Sequence, residues 1–217
     1  MPPCRFLKEI IIMMKKNNSF ILFGASGHGK VIAEILEESE QQIHSFFDQD
    51  LSKKELLSYT VHHSFDQLDP NEYQWLISVG INQTRRKIVE QYTFQFGTAI
   101  HPGTHLSKRI TIGEGTVIMA GVCINSGTVV GKHVIVNTAA SVDHDCVLGD
   151  YVHVSPGAIL TGNVHVGEGT HIGAGATVIP GIRIGKWCTI GAGSVIIRDV
   201  PDGAKVVGVP GKLVVGC

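Results

Sequence analysis

His144 stands between two carboxylates, in the run Asp143-His144-Asp145-Cys146. Histidine is the side chain whose ordinary pKa falls near neutrality, so it can take up and return a proton under physiological conditions. Neighbouring acids orient such a ring and favour its proton uptake. His144, with an acid on either side, is therefore a candidate for proton transfer. An exposed surface histidine is the plainer alternative. A metal site is another, because His144, Asp145, Cys146 and His153 are all ligand types. Cys146, however, occupies an inward position of the repeat described below, and successive strand residues point to opposite faces. The four do not converge, and no metal is expected.

A second chemical stretch is Gly24-Ala25-Ser26-Gly27-His28-Gly29. An apolar strand pattern, Phe20 to Phe23, runs into it, and Val31, Ile32, Ile35 and Leu36 follow at helical spacing. A helix amino terminus offers free N–H groups and the positive end of its dipole to an anion, so a phosphate-bearing ligand is expected at Gly24, Ser26, Gly27 and His28. The plainer reading is that the glycines let helix and strand pack closely. The order G-x-x-G-x-G differs from the dinucleotide fingerprint, and fewer than 80 residues precede the repeats, so a full dehydrogenase domain does not fit. Asp48, about 20 residues past the glycines, stands where such units place a ribose-recognising acid. Gly80-Ile81-Asn82 follows a strand at Trp75 to Val79 and opens onto the same edge of the sheet, where ligands of open α/β sheets bind. Strands at Ile43 to Phe47 and Tyr59 to His62 and a helix from Gln83 to Tyr92 complete a small parallel sheet over residues 20–98.

His144 lies in a longer pattern. From Ile100 to Ile196 an Ile, Leu or Val returns every sixth residue, with small residues such as Thr116, Ala140, Cys146, Ala158, Ala176 and Ser194 four places later. Hexapeptide repetition of this kind predicts a parallel β-helix over 99–200, followed by a tail, 201–217. Three short strands make a coil. Seventeen hexapeptides give between five and six coils, a prism roughly 27 Å tall at the usual strand spacing. Residues eighteen apart then stack. Gly162 lies one coil from His144, where its missing side chain leaves room for a ligand. His153 and His171 form a column, with His171 read as part of an exposed ladder. Thr98 to Thr104 joins the two domains without a linker, so they are expected to be rigidly placed.

Composition excludes several classes. A formal charge of −1 gives no reason to expect nucleic acid or an anionic membrane as partner. The apolar run Ile10 to Met14 is too short to span a bilayer and lacks a signal-peptide pattern. Met14 before Lys15-Lys16 reads as a natural start, with 1–19 a disordered extension. Cys4, Cys123, Cys146, Cys188 and Cys217 show no paired spacing, and Cys146 and Cys188, at inward corner positions, are expected to be buried thiols in a reducing cytoplasm.

FGASGHGKV near the amino end, a strand ending in FFD, SVGIN before an Arg-containing helix, IHP at the junction and NTAASVDHDCVLGDYVHVSPGA within the repeats are together specific. Over residues 20 to about 213 the chain resembles the bacterial sugar O-acyltransferases of the sialic acid type. It equally resembles their relatives, the N-acetyltransferases of nucleotide-linked 4-amino-4,6-dideoxy sugars. The resemblance implies a left-handed β-helix, a homotrimer, acetyl-CoA between neighbouring helices and a sugar nucleotide in the front domain. It implies His144 as catalytic base and Asp145 as its acid, an Asp where some relatives have Glu. It also implies Asn137 and His153 around the acetyl group, Ala174 and Ala192 where backbone meets pantetheine, and Ser26, Gly27, His28 and Asp48 on the sugar nucleotide. Acyl transfer to an amine requires a neutral nitrogen, which a base of near-neutral pKa provides, and a backbone N–H or His153 would stabilise the oxyanion. O-acetylation of a sugar hydroxyl and a trimeric scaffold without activity are the alternatives. The glycine turn with Asp48 favours the nucleotide, and the His-Asp-Cys run disfavours the scaffold.

Overall fold

The computed structural model describes residues 19–66 and 68–214. The expected extension, Ser19 apart, lies outside the described residues, as do Cys4 and Cys217. The front domain is a five-stranded sheet in the order β3-β4-β2-β1-β5. These are β1 (Phe20–Phe23), β2 (Ile43–Phe47), β3 (Glu55–Leu56), β4 (Tyr59–His62) and β5 (Gln74–Ile77). All neighbours are parallel except β3 and β4, which form a hairpin. All four β1 residues are buried, because helix α1 (Gly27–Glu38) covers one side and an aromatic cluster the other. A second helix, α2 (Asn82–Gln91), follows β5.

The repeats fold as a solenoid of seventeen two-residue strands, from Ala99–Ile100 to Val195–Ile196. They stack into three parallel sheets, called here the His153, Ile159 and Val147 faces after a central residue of each. The Ile, Leu and Val of every sixth position point inward and form one continuous core. Cys146 and Cys188 are buried at corners, as the small-residue pattern requires. Buried threonines close other corners: the Thr128 hydroxyl donates to Asp143 O at 2.7 Å and accepts from Cys146 N at 3.1 Å. Every sixth residue from Gly115 to Gly193 has positive φ, between 54° and 78°. Each corner is thus a tight turn with a left-handed residue, where glycine carries no steric cost and Asp or Asn little.

The solenoid does not stop at residue 200, where the sequence placed its end. Lys205–Val207 adds a further parallel strand to the His153 face beside Thr189–Ile190, with Val206 buried. The pattern is lost because the next sixth position is Asp202, and Val200 and Val206 fill the core instead.

The two domains share a core. Ala99, Val117, Met119 and Ile135 on the His153 face pack in one cluster with Leu22, Ile32, Leu36 and Phe46.

Candidate active site

His144 and Asp145 are the two central residues of the corner turn between Ser141–Val142 on the Ile159 face and Val147–Leu148 on the Val147 face. Asp145 takes the left-handed position of that turn, φ 57°. Its Oδ2 accepts a hydrogen bond from His144 Nδ1 at 2.9 Å. That bond places the proton on Nδ1 and leaves Nε2 with a lone pair, the state a general base needs. The preceding Asp143 holds the turn from behind, accepting from His144 N and from Asn125 Nδ2, both at 2.8 Å. The hydrogen bond donated to Asp145 first, and the charge of Asp143 second, raise the His144 pKa above its ordinary 6.5. Glycines one coil away on either side make the space. A Cβ on Gly162 would lie 2.6 Å from His144 Nε2, and one on Gly127 2.3 Å from Asp145 Oδ1. The room left at Gly162 is thus for the imidazole, and Gly127 does the same for the carboxylate. The sequence signal that marks Gly127 is its place eighteen residues, one coil, before Asp145.

On the His153 face, a crevice lies where the front domain meets the solenoid, a cavity of about 400 Å³ lined by Gly80, Asn82, His153 and His171 among others. His153 is buried, its Nδ1 3.3 Å from Gly80 O and its Nε2 3.2 Å from Asn137 Nδ2. A carbonyl only accepts, so Nδ1 carries the proton, and Nε2 accepts from the Asn137 amide. Asn137 Oδ1 in turn accepts from Thr138 N at 2.8 Å. Burial first, then electrostatic interaction with His171, Arg85 and His28, lowers the His153 pKa to about 3. His153 thus has no ring N–H left to offer an oxyanion, contrary to the role considered for it, whereas Asn137 Nδ2 keeps a second N–H beyond its bond to His153. His171 stacks on His153, centroids 4.9 Å apart and planes 2° from parallel, and pairs with Ser155 Oγ at 2.7 Å. It is exposed and stacked one coil from His153, as the ladder reading expected.

The glycine turn faces the same crevice, since the His28 and His153 rings are 6.5 Å apart. His28 Nε2 is buried without a hydrogen-bond partner among the described residues, and burial, then the charge of Arg85, lower its pKa to about 4. The glycines divide by function. A Cβ on Gly24 would meet Ser78 O at 2.9 Å, and one on Gly29 would meet Gly24 O at 2.6 Å, so both serve packing. Both backbone groups of Gly24 are also engaged within the fold, its N–H by Phe47 O and its carbonyl by Ser78 Oγ. Gly27 and Gly80 have nothing within 4 Å of that position, so the space beside each is open. Asn82 lines the crevice and also joins the domains. Its amide donates to Gly169 O at 3.0 Å and Thr170 O at 3.3 Å, and its oxygen accepts from Arg85, so it clamps the two domains together. Asp48 holds the turn by accepting from Ala25 N at 2.8 Å, and it pairs with Lys53 Nζ at 2.7 Å. Burial opposes its ionisation, but bonds from Lys53, Asp50 N and Ala25 N outweigh it and lower the pKa. Lys53 and Arg85 had no periodic signal in the sequence.

Ala174 and Ala192 are exposed one coil apart on the corner between the His153 and Ile159 faces, the edge that also carries Asn137. His144 is on a different corner, and one chain does not bring it to His153. Among the described residues no three His, Cys, Asp or Glu side chains converge on a metal position, and no helix is long and apolar enough to cross a membrane.

Residues 19–92 match the PglD N-terminal domain family, and residues 163–198 the bacterial transferase hexapeptide family. The acetyltransferase domain of PglB from Neisseria gonorrhoeae FA1090 is 37% identical, with a TM-score of 0.85 over 91% of this chain and 100% of that one. A histidine variant of perosamine N-acetyltransferase from Caulobacter crescentus, in complex with CoA and GDP-perosamine, is 34% identical, with a TM-score of 0.87 over 92% and 98%. WeeI from Acinetobacter baumannii AYE is 30% identical, with a TM-score of 0.82 over 90% and 99%. No curated protein sequence matches. An α/β domain with an open glycine turn, docked on hexapeptide coils that carry a histidine-carboxylate pair, defines an acyltransferase. The chain belongs to the hexapeptide family of acetyl-CoA-dependent nucleotide-sugar acetyltransferases.

Proposed function

We propose that this protein transfers the acetyl group of acetyl-CoA to the amine of a nucleotide-linked amino-dideoxy sugar, in the cytoplasm, for bacterial surface glycan. The observation that carries this reading is the His144–Asp145 pair seated over Gly162 and Gly127, with Nε2 free to accept a proton. The relatives described above, one of them in complex with CoA and GDP-perosamine, support the substrate class.

Acetyl-CoA supplies an activated thioester carbonyl. His144 Nε2 takes the proton from the acceptor nitrogen as the N–C bond forms and the C–S bond breaks, and returns it to the departing sulfur. Asn137 Nδ2 donates to the carbonyl oxygen as negative charge grows on it, and Gly162 offers backbone beside the base. The open space at Gly27, with Ser26 and His28, receives the diphosphate, with the positive end of α1 behind it. Lys53 adds charge near the ribose side. Asp48, held on Oδ2 by Ala25 and Lys53, keeps a lone pair on Oδ1 for a ribose hydroxyl. Ala174 and Ala192 lie along the edge proposed for the pantetheine.

Because His144 and Asn137 occupy different edges of one prism, the complete site is built between chains of a homotrimer. Exposed Val129 and Val147 on one face and Ile159 on the next, 44%, 36% and 43% accessible, give that contact an apolar surface. Mass spectrometry of UDP-, dTDP- and GDP-linked 4-amino sugars incubated with acetyl-CoA tests the proposal. Addition of one acetyl group to an amine is expected; acetylation only of hydroxyls on unactivated sugars would overturn it.

A further inference from the structure

Arg85, on α2, is 1% exposed, and no carboxylate pairs with it among the described residues. A buried cation without a counter-ion is held only if its donors are satisfied. Here all five N–H groups have acceptors. Nε donates to His133 O at 2.9 Å, Nη1 to Val79 O at 3.1 Å and Gly80 O at 3.2 Å, and Nη2 to Asn82 Oδ1 at 3.0 Å and Tyr151 O at 2.8 Å. Three of those acceptors belong to the front domain. The other two, His133 and Tyr151, sit at left-handed corner positions one coil apart on the solenoid. The planar fork therefore spans the junction, and its geometry fixes how far the end of β5 stands from the His153 face.

Among the acceptors, Gly80 O matters most to the site, because it also receives His153 Nδ1. Its two lone pairs serve two donors, one from each domain. We infer that Arg85 is a positioning residue: by pinning the Gly80 carbonyl against the solenoid it commits His153 to the Nδ1-protonated tautomer, turns Nε2 into an acceptor for Asn137, and so orients the amide donor of the acetyl site. With that carbonyl displaced, the His153 ring is free to carry its proton on Nε2. That N–H would oppose the Asn137 amide hydrogens, and the amide would turn. Lysine cannot replace the fork, since three donors on one atom do not reach carbonyls on both domains.

The inference rests on the reading of this crevice as the acetyl-transfer site, but its main test does not. Histidine ¹⁵N shifts of the full chain, without substrate, report which ring nitrogen carries the proton, and the His153 signal is identified by its loss in His153→Gln. Wild type is expected to show a protonated Nδ1 and a bare Nε2; a protonated Nε2 would overturn the inference outright. In Arg85→Met both tautomers are expected, with kcat lowered about 10²-fold by the displaced donor and acetyl-CoA affinity kept. A folded variant with the wild-type tautomer would also overturn it. If Arg85→Met does not fold, Arg85→Lys, which keeps the charge, is read by the same signal, and the wild-type spectrum still decides. Absence of acetylation of every sugar nucleotide, beside the expected tautomers, would remove the functional reading and leave the role of Arg85 in place.

Discussion

Among single residues, the sharpest consequence concerns the proton on His144. Replacing it with Ala should leave the fold intact, since the side chain is 58% exposed, and lower acetyl transfer by about 10²- to 10⁴-fold. Unchanged turnover would take His144 out of the mechanism. The pH profile gives an independent check. Because Asp145 and Asp143 raise the His144 pKa, the neutral base prevails only above a pH higher than 6.5, so kcat/KM should climb through an acid limb displaced upward from that value. Asp145→Asn removes the largest cause of the shift. Its acid limb should move to lower pH while the plateau falls, and an unmoved limb would mean that another group governs it.

The elements divide into those legible in the sequence and those that were not. Sixfold recurrence of aliphatic residues reveals the solenoid because each inward position is filled independently of all others. The His-Asp pair was legible for the same reason, being two neighbours on one turn. Arg85 and the clamping role of Asn82 were not, because their solenoid partners are backbone carbonyls 48 to 88 residues away, and a carbonyl leaves no trace in a sequence. The glycine turn was half legible. Composition marks it as an anion site, but only geometry separates Gly24 and Gly29, which pack, from Gly27, which is open. This division is testable by calorimetry. Gly27→Trp should weaken binding of the nucleotide sugar, spare acetyl-CoA and keep the melting temperature. Gly29→Ala should instead lower stability by about 1–3 kcal/mol through overpacking against Gly24 O and Phe46. Equal loss of both ligands in Gly27→Trp would reduce the front domain to structural support.

For the molecule as a whole, the question is which chains complete one site. His144 and His153 lie on different sides of the prism, so a shared site requires two subunits in a closed ring. His144→Ala and His153→Ala, each nearly inactive, can be unfolded, mixed in equal amounts and refolded. Random assembly makes about three quarters of the trimers mixed, each with one intact interface of three, so roughly a quarter of wild-type activity should return. Recovery of none would place the site within one chain.

The cluster that joins α1 to Ala99, Val117, Met119 and Ile135 has a bearing on how such enzymes diversify. A lineage that changed its sugar by exchanging the front domain as a cassette would strip an apolar stripe from the first coils and leave the carbonyls of His133 and Tyr151 without their cation. The recombination point therefore cannot lie at the junction near Thr98. New specificity has to arise by substitution within the crevice, or by a crossover beyond Thr170 that carries the front domain together with the coils it stands on.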